Sequence, residues 1–189
     1  MDTFGHIKSV IVIILGLSIA KLLQGAVKLI QHPGRTRIYW VHLLWALYLF
    51  LLLIHFWWWE YGLKDISAWS FQSYFFLVLY ITMFYTLCAL LFPDDLKDYK
   101  GYEDYFFSRK KWFFGVLAIS FLADTVDTLM KGKDYFLQAT LEYPIRNFVH
   151  FTLCVAAMWI PNRKFHAALV LLFILYELSY ILRLFDTVS

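Results

Sequence analysis

The chain has 189 residues, of which 61% are hydrophobic and 16% charged, against about 45–50% and 25% in soluble domains. That balance excludes an ordinary soluble globular domain. The net charge of +3 arises in loops and argues against a nucleic-acid partner, and long apolar stretches use nearly all of the chain, so residues 1–189 read as a single transmembrane domain.

The N-terminus, Met1–Lys8 followed by SVIVIILGLSIA, has the order of a signal peptide: a short positive start, an apolar stretch, then small residues. The apolar pattern continues past Ala20 into KLLQGAVKLI, so it reads as a retained first helix. That helix spans about Ser9–Leu29, stopped by Pro33 and Gly34. A second covers about Ile38–Trp59, whose end, FWWWEY, reads as an aromatic belt at the membrane interface or, more sharply, as a stacking platform for a flat or cationic ligand. A third covers about Phe71–Phe92 and closes at Pro93. The polar stretch Asp94–Arg109 mixes both charge signs with aromatics, which suits a helix lying at the membrane surface or a solvated loop.

The fourth helix, Lys111–Lys131, is apolar enough to cross a bilayer yet contains Asp124 and Asp127. After KGKDYFLQATLEY, readable as loop, interfacial helix or early turn, the fifth covers about Pro144–Ile160 with Pro161 beyond it. The sixth covers about Phe165–Leu184. The expected fold is all-α: a polytopic integral membrane protein, a six-transmembrane-helix bundle with short loops.

Loops after helices 1, 3 and 5 carry nine basic residues and the opposite side five. By the positive-inside rule the nine face the cytoplasm and both termini lie outside, in a bacterial inner (plasma) membrane. The starts of the even-numbered helices, RTRIYW, RKKWFF and NRKF, hint at three repeated hairpins. Basic anchors followed by aromatic belts explain the likeness as well.

Three residues apart, Asp124 and Asp127 share a helix face about 60° wide. At 1.5 Å rise per residue, Lys21 falls near the middle of helix 1 and Glu177 just outside the middle of helix 6. Asp124, Asp127, His150 and His55 fall in the outer half, with Arg146 and Glu60 near its rim. Four deep charges facing lipid would cost about 2.5–3.5 kcal/mol each, about 10 kcal/mol together, so they must compensate one another. The expected pairing is Lys21 with Asp124 or Asp127, and Arg146 with Glu177 or the second Asp. Ser18, Lys21, Gln24 and Lys28 form one stripe on helix 1, and Arg146 and His150 one on helix 5.

The leading expectation is a channel or transporter moving an ion, proton or small solute through a site built on Asp124 and Asp127 with Lys21, and extended by Glu177, His150, Arg146, His55 and Gln24. An alternative is a membrane enzyme or redox protein. Asp124, Asp127, His150 and Glu177 suit a transition metal by donor type, without a recognisable ligand spacing. A haem between histidines is weakened by His42 and His55 lying about 220° apart on one helix. A further alternative is a sensor or partner-binding subunit whose charges lock helices together. Ser18, Ser73, Ser120 and Ser179 belong to no nucleophile motif, and Cys88 and Cys154 to no metal or redox pair. The expected partners are the bilayer, a small ion or solute and, because six short helices enclose little room, a second copy of the chain.

Overall fold

The computed structural model describes residues 3–66, 68–132 and 141–184; most of KGKDYFLQATLEY, residues 133–140, lies outside the described residues. Within them are six α-helices: α1 (Thr3–Gln31), α2 (Trp40–Trp59), α3 (Phe71–Leu91), α4 (Tyr102–Met130), α5 (Glu142–Trp159) and α6 (Arg163–Leu184). A short 3₁₀ turn, Glu60–Asp65, extends α2. Five helices are long and apolar enough to cross a membrane, as expected of an integral membrane protein. Helix α5 falls short, because Arg146, Asn147 and His150 interrupt its apolar run.

Local chemistry sets the helix ends. Ser70 caps α3 by accepting the Ser73 backbone N–H at 3.1 Å, and Asn162 caps α6 by accepting those of Lys164 and Phe165. Leu91 and Trp159 end their helices two residues before Pro93 and Pro161, where the pre-proline residue resists helical geometry. Helix α4 begins earlier than the sequence suggested, so the second half of Asp94–Arg109 is neither loop nor separate surface helix but its first two turns. Gly101 makes that start: its φ of 147° suits glycine, and a Cβ there would stand 3.0 Å from the Arg37 carbonyl oxygen. Glu103 and Asp104 follow in the first turn, where acidic groups oppose the helix dipole.

Helix α1 packs chiefly on α3, α4 on both α3 and α5, and α2 on α6, so of the three sequential hairpins only α3–α4 is a principal pair. Trp45 is fully buried at the middle, its ring 5.2–5.5 Å from those of Tyr48, Phe113, Phe114 and Phe173. Edge-to-face rings of this kind join α2, α4 and α6. The outer surface is apolar, with Ile13, Ile30, Leu122, Phe148, Leu175 and Leu182 all exposed. On α5, Tyr143, Asn147, His150 and Cys154 point inward while Ile145, Phe148, Val149 and Trp159 point out. Its polar face is therefore spent on the interior.

Candidate functional site

The end of the bundle opposite the basic loops collects the C-termini of α2, α4 and α6 with the N-terminus of α5. Asp124 is its hub. One carboxylate oxygen, Oδ2, accepts from Tyr143 OH at 2.9 Å, Arg146 Nη2 at 3.1 Å and Asn147 Nδ2 at 2.8 Å, and Oδ1 accepts from Tyr80 OH at 3.3 Å. Tyr143, Arg146 and Asn147 come from the first turns of α5, where positions 143 and 147 share a face. The Arg146 guanidinium is also flanked by the rings of Tyr143 and Tyr180, at 5.2 and 4.5 Å.

Beside this hub, His55 of α2 and Glu177 of α6 form a buried pair with Nδ1 and Oε1 2.5 Å apart. One proton lies between them, on the imidazole or the carboxyl. His150 Nδ1 stands 2.8 Å from the Arg146 carbonyl oxygen, which makes Nδ1 the protonated nitrogen and Nε2 the acceptor in the neutral ring. These groups line a partly open chamber of about 30 Å³, completed by Ser120, Trp59, Tyr180 and several apolar side chains. That volume holds one or two waters.

Asp127 goes elsewhere. Its Oδ2 accepts from Lys131 Nζ at 2.6 Å, and the same ammonium reaches Glu60 Oε1 at 3.1 Å. All three side chains are essentially inaccessible, at 0–2% exposure. The two aspartates thus share a helix face but serve different partners: Asp124 turns toward α5, and Asp127 toward the end of α2.

Lys21 corrects the expected pairing. It reaches neither aspartate and bonds Asp94 Oδ1 at 2.9 Å, in the loop after α3 at the basic end. That hydrogen bond holds the Asp94 carboxyl below the usual carboxylate range. The cause is register. Helix α1 runs from Thr3 to Gln31, so its midpoint lies a turn before Lys21, and Gly25 packs so tightly on Phe92 that a Cβ would collide with its ring. Lys21 is therefore one turn from the level at which α3 ends, and its long stem carries the ammonium out to that boundary. Gln24 is exposed and contributes nothing to the chamber, and of the expected stripe only Ser18 is buried.

Arg146 pairs with Asp124, not Glu177, and Glu177 takes His55 instead. His42 and His166 lie at the other end of the bundle, where each puts Nε2 on a backbone carbonyl, Leu91 at 2.7 Å and Ile160 at 2.8 Å. Among the described residues, no three His, Cys, Asp or Glu side chains gather in a metal-binding arrangement, so the candidate set Asp124, Asp127, His150 and Glu177 is divided. Sequence reading passed over Lys131, Tyr143, Asn147 and Tyr80. Lys131 was legible, since it stands four residues after Asp127. Asn147 and Tyr143 carried a weaker sign, being polar and four apart on a helix that also holds Arg146.

No family model matches this chain, and no curated protein or solved structure shows significant similarity to it.

Proposed function

We propose that this is a six-span membrane protein that passes protons, or a small cation that replaces them, through the chamber bounded by Asp124, Arg146, His150 and the His55–Glu177 pair. The supporting observation is that chamber: α2, α3, α4, α5 and α6 each contribute a polar group to one water-sized space inside an apolar bundle. Ionisable groups in such a position are costly unless they are used, and proton relays and ion paths are their usual employment. In this reading α5 is the sixth crossing helix, its polar face made tolerable by Asp124. The small volume favours a proton or bare ion over an organic solute.

Each residue has a task. Asp124 and Glu177 accept and release the charge, His55 and His150 exchange protons across the chamber water, and Arg146 holds the Asp124 carboxyl in place by its ion pair. The basic loops at the far end face the cytoplasm, so the chamber lies nearer the outside. Purified protein in vesicles, loaded with a pH-sensitive dye and subjected to a pH step, tests this. Asp124→Asn and Glu177→Gln should each cut proton flux at least tenfold, whereas His42→Phe should leave it near the parental rate. Parental flux in both carboxyl variants would sink the proposal.

A second reading rests on the completeness of the Asp124 site, where four donors satisfy one carboxylate. The charges would then be locks, and the chain a partner-binding or sensing subunit. Replacing Asp124 and Arg146 together by Leu and Met separates the two. A lock tolerates the paired apolar exchange, and a proton path does not.

A further inference from the structure

The Glu60–Asp127–Lys131 cluster has one negative charge too many. Two carboxyls face one ammonium, at 3.1 and 2.6 Å, with all three side chains sealed from solvent. The carboxyl oxygens that do not bond Lys131, Glu60 Oε2 and Asp127 Oδ1, are both buried and without a partner among the described residues. Among the described residues, no other charged or titratable neighbour supplies the missing positive charge. Asp124 stands one turn back on α4 and is itself an acid, Tyr80 of α3 donates to Asp124, and the Tyr143 hydroxyl of α5 is turned to the same carboxyl group. Trp59 offers the ammonium its backbone carbonyl at 3.5 Å and its ring face at 5.4 Å.

An uncompensated buried carboxylate is more costly than a protonated one, and two carboxyls in contact resolve that conflict by holding a single proton between them. We propose that Glu60 and Asp127 hold one proton in common, with Glu60 as the neutral acid donating from Oε2 to Asp127 Oδ1, so that with Lys131 the cluster is an electrically neutral intramembrane proton-binding site. This single hydrogen bond satisfies both orphaned oxygens and the charge count at once. Lys131 donates to both carboxyls and fixes their spacing. The site stands behind Trp59, which also borders the chamber, yet it needs no flux through that chamber to exist.

Infrared difference spectroscopy of the full chain in phosphatidylcholine vesicles at neutral pH reads this proton directly. The wild type should show the carbonyl stretch of a buried carboxylic acid that shifts in heavy water. Glu60→Gln should abolish that band, Glu177→Gln should leave it, and Lys131→Met should about double it, because both acids must then be neutral. Carboxyl-labelled glutamate incorporated into the unmutated protein should shift the band, which secures the assignment to a glutamate even if a variant fails to fold. Three results would overturn the proposal: no buried-acid band in the wild type, a band that the glutamate label does not move, or loss of the band when sodium chloride replaces choline chloride at constant pH. The last would assign the site to a metal cation in place of a proton. A band that behaves as expected in a protein with no proton flux would uphold the site while removing the chamber reading.

Discussion

The two ends of the bundle use the same residue types for opposite purposes. At the basic end, His42, His166 and Lys110 turn toward backbone: the histidines take the carbonyls of Leu91 and Ile160, and Lys110 Nζ takes those of Ala157, Met158 and Ile160 at 2.9–3.2 Å. They finish helix C-termini, whose last carbonyls have no partner within the helix. Aromatic rings pack around them, with Tyr102 stacked on His42 and Phe114 on His166. At the opposite end, His55, Lys131 and Arg146 turn toward carboxylates on other helices or a turn away on their own. A polar group that serves a carbonyl closes a local account of hydrogen bonds. One that serves a buried charge ties the stability of one helix to another, and its removal leaves that charge exposed to an apolar interior.

Lys131 is where this contrast should break most visibly. Lys131→Met removes the cation from two buried carboxyls at once, and breaking a buried pair in this way costs about 3–5 kcal/mol. Denaturant unfolding in detergent micelles should show that loss, and the loss should shrink as the pH falls, because carboxyls already neutral in the folded variant then become neutral in the unfolded chain too. Adding Glu60→Gln and Asp127→Asn to Lys131→Met should recover much of the stability, because an uncharged cluster has nothing left to compensate. A Lys131→Met protein as stable as its parent would mean that the cluster has no energetic weight.

The fold was largely legible because helices long and apolar enough to cross a bilayer announce themselves by length. Each of the six helix positions anticipated from apolar runs and proline stops is a helix, with ends displaced by a few residues except at α4. There the first two turns, beginning at Tyr102, are polar enough on one side to resemble a loop, while Tyr105 and Phe106 on the other side are buried. The site was legible in depth and not in azimuth. Asp124, His55, His150, Arg146 and Glu177 do converge, since level along the axis follows from counting residues. Who faces whom depends on how helices rotate and slide against one another, which a single chain does not encode locally. Lys21 shows the cost of that gap. A few residues' error in the start of α1, together with the tight seat of Gly25 on Phe92, moved its charge to the far side of the molecule.

A sharper version of the comparison exchanges like for like. His42 and His55 lie on the same helix and both are buried, yet one serves a carbonyl and the other a carboxylate. Phenylalanine fits either ring space. His42→Phe should cost about 1 kcal/mol, the usual net worth of one hydrogen bond, since ring stacking on Tyr102 survives. His55→Phe should cost about 2–3 kcal/mol, because hydrogen bonds to charged groups are worth more and Glu177 is left buried without its imidazole. Equal losses in parallel unfolding curves would erase the distinction drawn between the two ends.

The smallest effect is expected where the same pairing reaches the surface. Arg183 grips Glu142 through two guanidinium nitrogens, at 2.9 Å for Nη1 and 2.5 Å for Nη2, and both side chains are substantially exposed. Arg183's hydrogen bonds, then that of Tyr176, hold the Glu142 carboxyl down to about 2 from its ordinary 4.5. A carboxyl with a depressed folded-state value stabilises fully above its unfolded value and loses that contribution as pH falls through the folded one. Glu142→Gln should therefore lower the melting temperature only slightly at neutral pH, as exposed pairs are screened by water and salt. The gap between parent and variant should stay constant down to about pH 4.5, narrow below it, and close near pH 2. A gap that widens on acidification would show that Arg183 and Glu142 are not the pair that ties the start of α5 to the end of α6.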